Sequence, residues 1–254
     1  MLTVTEAQLM AWLSPILWPF LRILAVFTSA PVLSSRAFPL RARIGLALLV
    51  ALSAQATLQD QPVISMDGPD ALGAVIQQLL VGFAIGFAVR IVFAAVELAG
   101  ETVGFQMGLG FAAFFDPSIN SQSSAVARFY GHMATLLFIV LNGHLLVLTA
   151  VLKSFESFPV SSNPFPALGR LKMQELGSEL FASALWIALP LIGMLMFVNL
   201  ALGIVSRVAP QMNIYAIGFP VTLTVGLIGI AATLPMLDQP FMALLEGVMA
   251  TIAR

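Results

Sequence analysis

GETVGFQMGLGFAAFFDPSINSQSSAVAR, residues 100–128, decides how this chain is read. An apolar helix carrying Glu101 runs into Gly104, Gly108 and Gly110, breaks into Phe111, Phe114 and Phe115, and stops at Asp116-Pro117. A lipid-exposed loop cannot lie at membrane depth, because its backbone N–H and C=O groups would go unpaired. Irregular, aromatic-rich backbone in a membrane protein therefore lies at an interface, inside protein or along a water-filled path. The segment reads either as a gate or plug, or as a glycine-loosened helix end between two spans.

The rest of the chain supplies the membrane. Of 254 residues, 59% are hydrophobic and 9% charged, with a mean hydropathy of +1.00; soluble domains carry about 25% charged residues. The absence of cysteine excludes disulfide frameworks, thiolate catalysis and Cys-ligated metals. No basic run is long enough to follow a phosphate backbone, so nucleic acid is not an expected partner. The N-terminus, MLTVTEAQLMAWLSP, has Glu6 but no Lys or Arg before Arg22 and lacks a small-residue cleavage site. The first apolar segment is therefore expected to be retained.

At about 20 apolar residues per span, six segments emerge, near 9–33, 40–59, 71–99, 126–152, 178–205 and 214–237. Pro15 and Pro19 can kink the first. Pro210 in SRVAPQMN (206–213) disfavours helix at Ala209, so the last two segments read as a helical hairpin. A short amphipathic tail, 238–254, follows. Arg36, Arg41 and Arg43 place the first loop in the cytoplasm, and Asp60, Asp67 and Asp70 place the second outside. Continued alternation then puts Lys153, Arg170 and Lys172 outside, against the same rule. Either a span is miscounted or these helices do not all cross a bilayer in the ordinary way.

The third segment holds the clearest spatial pattern. At 100° per residue, Gly86, Arg90, Glu97, Glu101, Gly104 and Gly108 fall on one face, flanked by Gly82 and Gly100. Small residues at spacing four admit a second helix closely, and charges inside an apolar helix face a partner or an aqueous cavity.

Catalytic constellations are not evident. His132 and His144, read along one helix, lie about 18 Å apart and cannot share a metal. The serines of 118–124 have no nucleophile-elbow setting, and no phosphate-binding GxxxxGK[ST] loop occurs. Glu97 and Glu101 suit a proton relay or structural pairing, and pairing is the simpler reading.

Three stretches carry a family resemblance: GETVGFQMGLGFAAFFDPS (100–118), LLFIVLNGHLLVLTAVLKSFESFPV (136–160) and NLALGIVSRVAPQMNIYAIGFPVTLTVGLIG (199–229). With APVLSSRAFPLRARIGLAL (30–48), they make nearly the whole chain resemble the FliR family of flagellar export proteins and its virulence-type secretion counterparts. The resemblance implies an R subunit of a type III export gate, in the bacterial inner membrane at the flagellar basal body. Its implied partners are P and Q subunits, the B and A subunits of the apparatus, and unfolded export substrates; no cofactor or metal is implied. It also implies a plug loop over 106–123. Gln106, Met107, Gly108 and Gly110 would shape that loop, Phe111, Phe114 and Phe115 would block the lumen, and Asp116 and Pro117 would fix the turn. Arg207, Pro210 and Gln211 match the family's RxxPQ signature, a structural turn or subunit contact.

The expectation is thus an all-α, non-enzymatic membrane protein. Residues 1–177 would be P-subunit-like and include the plug loop, and 178–254 would form a Q-subunit-like hairpin and tail. Arg90, Glu97 and Glu101 would serve as buried or interfacial charges. The competing reading is a stand-alone secondary transporter using a broken helix and intramembrane acids. It calls for an internal inverted repeat, and the two halves share no matching broken segment.

Overall fold

Long apolar runs with few β-branched stretches favour helix, and a helix apolar on all sides belongs in a membrane or a large core. The computed structural model describes residues 6–55, 58, 64, 69–111, 123–171, 173–211 and 214–253. Its helices are α1 (Glu6–Ser29), α2 (Leu40–Gln55), α3 (Pro69–Gln106), α4 (Ala125–Val140), α5 (Gly143–Ser157), α6 (Phe165–Arg170), α7 (Met173–Val208), α8 (Ile214–Thr233) and α9 (Asp238–Ala253). Short 3₁₀ turns occupy Leu109–Phe111 and Leu234–Met236, and no strand occurs among the described residues. The all-α expectation holds.

Among the described residues, four helical stretches are long and apolar enough to cross a membrane: Trp12–Ser29, Asp70–Gln106, Gln174–Val208 and Ile217–Met236. Two expected spans take another form. The 40–59 segment contains the 16-residue α2, about 24 Å long against a hydrocarbon core of about 30 Å. The 126–152 segment is broken into α4 and α5, which meet at 70°. Asn142 makes that corner with φ 56° in the left-handed region, which Asn tolerates better than most residues. The break puts His132 on α4 and His144 on α5, not on one helix as the sequence suggested. At the other extreme, α3 has 38 residues and α7 has 36, about 57 and 54 Å by helical rise. Both outrun the hydrocarbon core.

The chain divides into two compact units. The first comprises Met1–Ile91, Asn142–Leu176 and Leu245–Arg254; the second comprises Val92–Leu141 and Gly177–Leu244. In the first, α1 and α3 run in parallel. Gly82 sits against the Arg22 carbonyl and Ala25, and Gly86 against Ser29 and Ala30. Ala47, Ala51 and Ala54 form a buried stripe on α2, which packs on α1.

The second unit contains two antiparallel hairpins. Along α3 and α4, Glu97 lies over Gly131, Gly100 meets Ala127 and Tyr130, and Gly104 meets Ser124 and Val126. Along α7 and α8, Gly229 meets Leu191 and Met194, and Gly218 faces Leu202. The second hairpin turns where Pro210 requires: α7 ends at Val208. Phe93 stacks edge-on with Phe138 at 5.5 Å and with Phe241 at 6.0 Å, joining α3, α4 and α9. Only 17% of the apolar span of α7 is buried, against 61% for α3. Phe181, Trp186, Phe197 and Val208 consequently stand exposed.

Candidate functional site: the base of the 107–123 excursion

The tip of the α3–α4 hairpin carries the segment singled out in the sequence. At Gln106 the helix loses its periodicity, because the next residues are Met107, Gly108, Leu109 and Gly110. Gly108 adopts φ 84°, a conformation that glycine reaches without steric cost. Its α-carbon faces the Phe219 ring of α8. Gly110 lies under the Phe105 ring, where a methyl group would come within 2.6 Å of the ring edge.

Met107 is fully buried. Its side chain lies on Gly226 of α8, where a methyl group would come within 2.7 Å of Sδ and Cε. Its carbonyl accepts from Thr222 Oγ1 at 3.2 Å. That hydroxyl also lies 3.1 Å from the Gly218 and Phe219 carbonyls, so one proton serves three acceptors. The departure from α3 is therefore pinned to α8 by packing more than by hydrogen bonding.

The return is pinned to α3 itself. Ser124 caps α4, its Oγ accepting from the Ala127 amide at 3.1 Å. The Ser124 amide in turn donates to Glu101 Oε2 at 3.0 Å. Departure and return thus lie side by side on the last turns of α3. Phe114, Phe115, Asp116 and Pro117 lie outside the described residues, and Phe111 ends the 3₁₀ turn.

The remaining predicted residues are dispersed. Arg90 and Glu97 are both exposed on α3, about 10 Å apart along its axis. Glu101 is half-buried. Arg207 closes the last turn of α7, and Pro210 and Gln211 occupy the exposed turn after it. Among the described residues, no three His, Asp or Glu side chains converge as a metal site.

Arg22 was not singled out by sequence reading. It is 0% exposed. Its Nε donates to Gln78 Oε1 at 2.8 Å, one terminal nitrogen to Ser154 Oγ at 2.9 Å and the other to the Phe158 carbonyl at 2.7 Å. The guanidinium lies 3.6 Å from the Phe155 ring centroid, a cation–π geometry. Gln78 donates to Gln77 Oε1 at 2.9 Å; Gln77 donates to the Pro159 carbonyl at 3.0 Å and accepts from the Ser161 amide at 2.9 Å. Among the described residues, this buried cation is held by neutral acceptors alone. The available signal was a lone arginine in an apolar segment together with the Gln77-Gln78 pair in another.

Residues 13–248 match the family described as bacterial export proteins, family 1. This chain belongs to that family. The export-family chain is 42% identical over 243 residues to the flagellar biosynthetic protein FliR of Escherichia coli strain K12, covering 95% of this chain and 92% of that protein. It is 41% identical, over the same shares, to the FliR of Pectobacterium carotovorum subsp. carotovorum. To the FliR of Bacillus subtilis strain 168 it is 33% identical over 213 residues, 82% of each chain. The similarity runs through both units of the export-family chain, including the α3–α4 tip and both hairpins.

Proposed function

We propose that this chain is a subunit of the flagellar type III protein export gate and that its 106–123 segment plugs the gate's lumen. One observation carries the reading: the departure at Met107 and the return at Ser124 are both fixed within the chain. A plug needs such a base, since a segment held at its root blocks a passage without drifting from it. The aromatic sequence of the segment suits a seal that ions cross poorly. Similarity to proteins named flagellar biosynthetic supports the flagellar setting.

In this reading the chain assembles with P and Q subunits, with the B and A subunits nearby, in the inner membrane at the basal body. Unfolded substrates pass through a lumen that it partly lines. Residues 1–177 take the P-like role, and 178–254 the Q-like role. Helices α3 and α7 are longer than a bilayer core, and α7 leaves most of its apolar span uncovered; both features suit packing against neighbouring subunits beyond the bilayer plane. Arg207, Pro210 and Gln211 serve as a structural turn or subunit contact.

The test is a passive ion-leak measurement on cells carrying the assembled gate with Phe111→Ala and Phe114→Ala together. Leakage rises if the segment seals the lumen. An unchanged leak from a gate of normal mass overturns the assignment.

A further inference from the structure

In a capping box a serine N-cap gains a second hydrogen bond from its own helix: a Glu or Gln at the third helical position reaches back to the cap's amide. Helix α4 cannot do this. After Ser124 it reads Ala125, Val126, Ala127, and Ala127 has no side-chain acceptor. The missing acceptor comes from α3. Glu101 Oε2 takes the Ser124 amide at 3.0 Å, while Ser124 Oγ takes the Ala127 amide at 3.1 Å. The two helices therefore complete one capping arrangement between them. Contact geometry agrees, because Ser124 Oγ packs on Gly104, one turn beyond Glu101, where a methyl group would lie 3.0 Å from it. The carboxylate also lies at the positive end of the α4 dipole, where negative charge is favoured.

We infer that Glu101 is a positioning residue that seats the return of the excursion on α3, closing its base within this chain independently of partner subunits. The roles of the two acids on this face thus separate. Glu101 is committed internally, whereas Glu97 stands exposed with its carboxylate over Gly131. The leak consequence rests on the plug reading, but the seating does not.

Assembled gates carrying Glu101→Ala, Glu101→Gln or Ser124→Pro test this by hydrogen exchange, passive ion leak and complex mass. Glu101→Ala removes the acceptor, and the Ser124 amide should exchange about ten to a hundred times faster, the range expected for one charge-assisted bond. Glu101→Gln keeps an acceptor oxygen and should restore most of that protection and keep the leak low. Ser124 has φ −58°, which proline accepts while removing the amide. Ser124→Pro should therefore leak as Glu101→Ala does, and it serves if the latter fails to assemble. Unchanged exchange at Ser124 in Glu101→Ala, or a Gln variant as unprotected as the Ala variant, overturns the seating. Fast exchange without leak, in a gate that does leak with Phe111→Ala and Phe114→Ala, overturns its functional role. If neither set leaks, the plug reading fails while the exchange result still decides the seating.

Discussion

Arginine 22 predicts an order of stabilities opposite to chemical conservatism. Its three acceptors sit on α3, on α5 and on the chain just beyond α5, 56 to 136 residues away in sequence. A planar fork reaches all three; a lysine ammonium is a point charge that cannot. A hydrogen bond to a charged group contributes about 1.5–3 kcal/mol, so the three together are worth roughly 5–9 kcal/mol gross. Arg22→Met forfeits them but also removes a buried ion whose desolvation costs several kcal/mol, for a net loss of about 2–3 kcal/mol. Arg22→Lys keeps the buried charge with about one acceptor in reach, and should lose about 4–5 kcal/mol by the same reasoning. At 2–4 °C per kcal/mol, the lysine variant should melt about 4–8 °C below the methionine variant. Trp18 reports the transition in mild detergent, being 1% exposed on the same helix while Trp12 and Trp186 are 81% and 71% exposed. Equal melting temperatures, or a lysine variant that is the more stable, would refute the claim that the fork geometry holds these elements together.

Two further expectations follow from close contacts. Gly226→Val drives a side chain into Met107 and should cost about 1–3 kcal/mol by overpacking; adding Met107→Ala should recover part of that loss, and a melting experiment showing additive losses would contradict the contact. At the α4–α5 corner, Asn142→Gly should leave stability within a few tenths of a kcal/mol, while Asn142→Val, a β-branched residue forced to φ 56°, should lose about 1–2 kcal/mol in the same assay.

Much of the helical layout was legible because hydropathy and proline placement are local signals. Pro210 ended α7 where expected, and the glycines spaced along α3 are the places where α1 and α4 come close. The corner at Asn142 was missed because VLNGHLL remains apolar on average, so the window that found the span hid its bend. The Asn-Gly pair was the cue. Arg22 was opaque for a different reason: its partners are neutral and distant in sequence, so neither charge pairing nor helical spacing points to them. At the excursion, the glycines and phenylalanines stood out by composition. The fixing of its return by Glu101 did not, since a capping arrangement split between two helices matches no contiguous pattern.

The division of the chain has a consequence for biogenesis. The first unit takes its chain from three stretches, and the last of them is Leu245–Arg254. A ribosome delivers residues in order, so the opening 91 residues emerge long before the piece that completes their unit. Arg22 is made 132 residues before Ser154 and 136 before the Phe158 carbonyl. Between the synthesis of residues 78 and 154 the nascent chain therefore carries a cation in an apolar helix with one of its three native acceptors made, a period in which an insertion factor or chaperone that shields charge within the membrane has something specific to hold.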